Sequence, residues 1–270
     1  MQGSNATRLA AACALVFCGS LASAREDDPL RILGDPSNNG IRDFAMLMSG
    51  FEQSEGWNLG LANASPPTGW SVLGATHSPI VSNLNPWVGA QHLRIDKETS
   101  LNVGHDIGVV SPHITLPDQD ELEILTLKMG VYIERKGGAD YDVFLQSSTA
   151  LAARVKFDFT GRILVVDDLA FRDTGAEWTP GQWKQLRIEL DYTGSGQAIA
   201  RYYYGGALIW TDNNRFDLVD DPTQFGIVSD NFNMTDFGDF DGVMLMVPSP
   251  GSIATAMVGV ALVSTRRRRR

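Results

Sequence analysis

The stretch that decides the fold is Trp178–Trp210, WTPGQWKQLRIELDYTGSGQAIARYYYGGALIW. Its apolar residues recur every second position: Leu186, Ile188, Leu190 and Tyr192 point one way, while Arg187, Glu189 and Asp191 point the other. That is the period of a half-buried strand, not of a helix. Gly194-Ser195-Gly196 and Gly205-Gly206 supply turn chemistry, so the run reads as strands Trp183–Tyr192, Ala198–Tyr204 and Ala207–Thr211 folded back as hairpins.

The same grammar extends outward. Further strands are read at Phe44–Glu52, Gly69–Leu73, His92–Asp96, Val103–Val110, Leu122–Arg135, Tyr141–Gln146, Ala153–Phe159, Ile163–Val166, Phe225–Val228 and Phe240–Val247. In RVKFDF, Val155, Phe157 and Phe159 share one face, and Arg154, Lys156 and Asp158 the other. Lys136-Gly137-Gly138 and Thr160-Gly161-Arg162 are turn-like, and Asn58–Thr68 reads as a polar loop. No long helical period, internal repeat or linker interrupts residues 44–246. The expectation is one all-β domain, an antiparallel β-sandwich of jelly-roll type.

Outside it lie three segments of other character. Residues 1–24 combine Arg8, an apolar run from Leu9 to Phe17 and Ala22-Ser23-Ala24, the pattern of a signal peptide cut before Arg25. Both cysteines, Cys13 and Cys18, fall inside it, and bulky Phe17 disfavours a lipoprotein signal at Cys18. The mature chain then has no disulfide and no thiol chemistry. Residues 25–43 read as an irregular lead-in. Residues 247–270 end the chain with Val247-Pro248-Ser249-Pro250, an uncharged run Gly251–Thr265, and Arg266, Arg267, Arg268, Arg269 and Arg270. As a helix those 15 residues span roughly 22 Å, short of the ~30 Å hydrocarbon layer. Five arginines behind it form a stop on the cytoplasmic side. Proline fixes φ and biases the residue before it, so Val247–Pro250 is expected to be neither strand nor helix.

Charge narrows the partners. The formal net charge is -10, and six of the 22 basic residues, Arg8 and Arg266–Arg270, lie in the terminal segments. The remaining 16 face 32 acidic residues. Such a body repels nucleic acid and anionic lipid.

Candidate chemistry is sparse. Glycoside hydrolysis needs a carboxylate pair, ~5–5.5 Å apart for retention. Glu189-Leu190-Asp191 is the nearest pattern, with Gly194 where a second glutamate would stand. There is no G-x-S-x-G and no H-E-x-x-H, and His77, His92, His105 and His113 are scattered. The acidic segment SDNFNMTDFGDFDG offers Asp230, Asn231, Asn233, Asp236, Asp239 and Asp241, oxygen ligands suited to Ca²⁺. From this segment Asp239 and Asp241 are candidate calcium ligands. Six tryptophans and RYYY bring aromatic surface. Packing is the expectation for any one tryptophan, and Tyr202, Tyr204 and Trp210 are the candidate ligand-binding residues.

Two resemblances add to this. The order of motif, apolar run and arginine cluster over residues 247–270 resembles the PEP-CTERM sorting domain, with Ser249 where that family has glutamate. It implies an exosortase as processing partner, a transient membrane anchor, and a place in the cell envelope or extracellular matrix. The stretch Trp178–Trp210, with FEQSEGW at Phe51–Trp57 and the closing DFDGVML, resembles the concanavalin A-like lectin/glucanase and laminin-G-like sandwiches. That implies a polysaccharide or cell-surface glycan as ligand and a structural calcium near the first and last strands, pairing Glu52 with Asp241. A purely structural surface protein and a glycan-active enzyme are the alternatives.

Overall fold

A computed structural model describes residues 43–116, 122–147, 150–193, 199–212, 222–232 and 236–248. The signal segment, most of the lead-in, Gly194-Ser195-Gly196, Asn233, Ser249, Pro250 and Arg266–Arg270 lie outside the described residues.

The chain forms an antiparallel β-sandwich. In chain order the strands are β1 (Asp43–Ser49), β2 (Gly60–Leu61), β3 (Ser71–Leu73), β4 (Ile80–Ser82), β5 (His92–Ile95), β6 (Ile107–Val110), β7 (Ile124–Ile133) and β8 (Tyr141–Gln146). They continue with β9 (Leu151–Phe157), β10 (Arg162–Asp167), β11 (Ala170–Glu177), β12 (Lys184–Asp191), β13 (Ile199–Tyr204), β14 (Ala207–Asp212), β15 (Gln224–Ser229) and β16 (Gly238–Pro248). A nine-stranded sheet runs β14-β13-β12-β7-β16-β5-β4-β2, with β1 also on β16. A seven-stranded sheet runs β11-β10-β9-β8-β15-β6-β3. Among the described residues no helix is long and apolar enough to cross a membrane.

Alternation builds the core. Leu186, Ile188 and Leu190 of β12 are fully buried, as are Leu125, Leu127 and Met129 of β7. Against them the second sheet sets Val143, Leu145, Val155, Phe157, Phe225 and Ile227, also fully buried. Each such side chain contributes about 1.5–3 kcal/mol. Phe51, Trp57, Trp70 and Phe225 close one end, with ring centroids 5.2–5.9 Å apart. Phe51 holds φ 57°, a strained value for a phenylalanine, because its ring is locked in that cluster.

Three expectations need correction. Val247 and Pro248 belong to β16, opposite Phe44 and Asp43 of β1. A proline is tolerated at that rung, where Pro248 pairs only with Asp43 of β1 at the edge of the sheet. Phe159 is 42% exposed, since β9 ends at Phe157 and Asp158 turns the chain. The loop at Asn58–Thr68 contains β2, paired with β4.

Candidate functional site

The outward face of the nine-stranded sheet carries rings and polar groups, half-buried at Arg187, Arg201 and Tyr203 and buried at Thr126, Met244 and Met246. Register aligns its side chains in rows across the strands. One row is Met244 (β16), Lys128 (β7), Arg187 (β12), Tyr203 (β13) and Leu208 (β14). The next is Met246, Thr126, Glu189, Arg201 and Thr211. Neighbouring members of a row stand about 4.8 Å apart, the strand spacing.

The members grip one another. The Arg187 guanidinium lies 3.7 Å from the Tyr203 ring centroid and 2.8 Å from Glu189 Oε1. Burial and then a hydrogen bond to Glu189 push the Tyr203 hydroxyl above its ordinary range. Arg201 donates to Asp191 at 2.8 Å. Burial works against the Asp191 charge, but the Thr193 hydroxyl and Arg201 hold its carboxyl below the usual range. The face is thus a preset array of planar donors and acceptors around one ring.

A strap of chain, Leu84–Gln91, crosses the same face beside these rows. Gly130 of β7 makes room for it: a Cβ there would meet the Trp87 ring at 2.1 Å. Trp87 stacks on Trp183 with centroids 6.3 Å apart at 17°. Trp183 donates its indole N–H to Asn85 O at 3.0 Å, and Tyr132 continues the cluster at 5.6 Å. Tyr132 stacks on Phe237, over which Arg94 sits at 3.7 Å.

Two carboxylates hold the strap. The neighbour of β16 changes along its length, from β5 at Gly238–Phe240 to β1 at Val243–Pro248. The switch occurs at a bulge containing Gly242, whose φ of 58° suits glycine. There Asp241, fully buried, accepts from the backbone N–H groups of Trp87 and Val88, each at 2.8 Å. Glu52 accepts from Ala90 and Gln91 at 2.6 and 3.1 Å. Beside Glu52 opens a cleft lined by Met48, Gly50, Glu55, Val88, Gly242 and Met244, among others. Burial, with the Glu52 charge adding to it, pushes the Asp241 carboxyl up to about 7.

The expected sites therefore separate. Glu52 and Asp241 come together, while Asp239 is held elsewhere by Arg94, at 2.8 and 2.9 Å, with His92 Nε2 3.3 Å away. Asp230 caps Phe232, Asn231 binds the Glu98 loop, and Asp236 accepts from Ala139, so the acidic segment does not converge. Among the described residues no three His, Cys, Asp or Glu side chains gather as a metal centre. Of the candidate calcium ligands, Glu52 borders the cleft, while Asp241 is buried beside it with both oxygens on backbone N–H groups.

The aromatic expectation is corrected. Tyr202 is fully buried and pairs in register with Trp210, so it offers no ring face to a ligand. Tyr204 also faces inward, with burial raising its hydroxyl and Phe157 at 5.7 Å. Trp210 is half-buried and donates to Asp167 Oδ2 at 3.0 Å, tying together the edges of the two sheets. The outward ring of RYYY is Tyr203. Alternation alone separates Tyr203 from its neighbours; the register to β12, Arg187 opposite Tyr203, is what assigns it outward.

No family model matches the chain, and no curated protein matches it. Solved structures do share its fold. A sialidase aligns at TM-score 0.50 with 9% identity, over 66% of this chain and 17% of its own. An endo-β-1,4-glucuronan lyase from the fungus Trichoderma reesei aligns at TM-score 0.51 with 10% identity, over 75% of this chain and 95% of its own. Cellulose induced protein, Cip1, aligns at TM-score 0.52 with 10% identity, over 74% and 96%. The chain thus corresponds to a small part of the sialidase and to nearly all of the other two. At such identities the likeness is one of fold.

Proposed function

We propose that this protein is an exported β-sandwich that binds glycan or exopolysaccharide without catalysis, on the outward face of its nine-stranded sheet. The observation that carries the reading is the ring of Tyr203 set among Arg187, Glu189 and Arg201, beside the Trp87–Trp183 stack. Sugars expose an apolar C–H face rimmed by hydroxyls. A ring next to planar donors and acceptors complements both, and fixed polar groups lose little entropy on binding. The likeness to a sialidase, a glucuronan lyase and a cellulose-induced protein supports the same reading, as does the resemblance to the concanavalin A-like jelly rolls.

Binding without turnover is favoured because Glu189 and Asp191 are each engaged by an arginine, and no second glutamate follows in their motif. Ca²⁺ between Glu52 and Asp241 would relieve two neighbouring carboxylates and fix the strap that carries Trp87. Export by the leader over residues 1–24 and sorting by an exosortase at Val247–Pro250, with the apolar run and Arg266–Arg270 as anchor, complete the proposal. A glycan array with the purified protein tests it. Binding with no released sugar is the expected result. Released sugar would replace it with an enzyme, and silence across the array with a structural role.

A further inference from the structure

On that glycan reading, we infer that the cleft beside the strap is a second sugar subsite, selective for an amino-sugar residue whose free ammonium is held by Glu52 and Glu55 while its C–H face rests on Met48 and Val88. The cleft has an apolar wall, with Met48, Val88, Val243 and Met244, and Glu52 and Glu55 are the charged side chains that line it. Met48 is 43% exposed, and its flexible thioether moulds to an apolar ligand face. Gly50 stands between the two glutamates. Its N–H donates to Glu55 Oε1 at 2.9 Å, and a Cβ added to it would meet Glu52 Cγ at 3.3 Å. Both carboxylates therefore border one opening, with a methionine and a valine beside them.

Charge complementarity selects the occupant. Glu52, Glu55 and Asp241 meet only uncharged donors: the N–H groups of Ala90 and Gln91, the Ser49 hydroxyl and the Gly50 N–H, and the N–H groups of Trp87, Val88 and Gly242. None of the three forms an ion pair among the described residues. The Glu52 charge adds to the burial that pushes the Asp241 carboxyl up. A cation in the cleft offsets that repulsion, and a neutral sugar does not. Glu52 takes both of its hydrogen bonds through Oε1, and among the described residues Oε2 accepts none. The N–H groups around the opening are engaged by these carboxylates, which favours a ligand recognised by side chains and charge over a peptide paired through its backbone. At longer range, 32 acidic against 16 basic residues outside the two terminal segments draw a polycation toward the protein.

The test compares an oligoglucosamine with its fully N-acetylated counterpart of equal length, which differ only in the ammonium groups. Each is titrated calorimetrically into the full chain in chelator, so that no divalent cation competes for Glu52, at low and at physiological salt. The expected result is an affinity for the free amine about tenfold or more above the acetylated chain at low salt, shrinking as salt screens the contact. Glu52→Gln keeps an oxygen for Ala90 and Gln91 and should remove most of that preference, as should Glu55→Gln. Glu123→Gln, exposed and outside the cleft, should leave it in place, which separates the site from general attraction to an acidic protein. Met48→Ser should weaken both ligands, and circular dichroism of each variant verifies folding. Equal affinities for the two oligomers, binding of neither, or a preference that Glu52→Gln reduces no more than Glu123→Gln does would overturn the subsite while leaving glycan binding on the sheet face to the array. A lysine oligomer bound as tightly, with the same dependence on Glu52, would replace the amino sugar with a basic peptide and overturn it as well.

Discussion

Glu98 shows how one side chain can organise a loop. It is fully buried. Its Oε2 accepts from four successive backbone N–H groups, Ala75 to Ser78, at 2.7–3.2 Å, and its Oε1 from the N–H and hydroxyl of Ser100 at 2.9 and 2.6 Å. Burial alone would raise this carboxyl, but the Ser100 hydroxyl and the N–H groups of His77 and Ser100 hold it far below the glutamate range. Glu98→Gln puts an amide donor against backbone donors and should cost about 3 kcal/mol at neutral pH, read by urea unfolding. The folded pKa is depressed, so the stabilisation is complete above the unfolded value near 4.5 and is lost as pH falls through and below it. The gap between wild type and variant should therefore narrow in acid. A gap that is constant from pH 7 to pH 3 would show that Glu98 acts by shape and not by charge.

Among the elements, the strap Leu84–Gln91 depends on a missing side chain. Gly130→Ala would drive a methyl group into the Trp87 ring. The strap should lift, with a loss of about 1–3 kcal/mol, faster hydrogen exchange at Trp87 and Val88, and a red-shifted tryptophan emission. An unshifted spectrum and melting temperature would mean that Trp87 repacks without the contact. Nothing in the sequence announces this strap, because its anchors Asp241 and Glu52 lie far away in the chain. Strand content, by contrast, is legible wherever a strand is half-buried: Leu186-x-Ile188-x-Leu190 declares itself. The strands missed by that reading lack the signal. β11, AFRDTGAE, is a sheet-edge strand with most residues exposed, so it never alternates. β2 and β4 have two and three residues, too short for any period. The inward turn of Tyr202 was illegible for a related reason. Its parity depends on the register with β12, which the composition of a glycine-rich turn does not determine.

For the whole molecule, calcium and mechanics are the properties at issue. If Ca²⁺ binds the folded state alone, a hundredfold excess over its dissociation constant adds about 2.7 kcal/mol. The melting temperature should rise between chelator and millimolar Ca²⁺, and Glu52→Gln should abolish the rise. A melting temperature indifferent to Ca²⁺ removes the metal from the proposal. The pairing of β1 with β16 has a mechanical consequence. Asp43 stands opposite Pro248, so the chain enters and leaves the sandwich side by side. A pull between the two ends peels β1 from β16 one rung at a time, from the rung at Asp43 and Pro248 toward Ser49 and Val243. A pull from residue 248 against a polymer held on the outward face is different. It drags β16 lengthwise past β1 and β7 together, so many rungs bear the load at once. A domain moored by its tail and gripping a polysaccharide would be loaded in its strong direction, while the same domain stretched end to end would unzip.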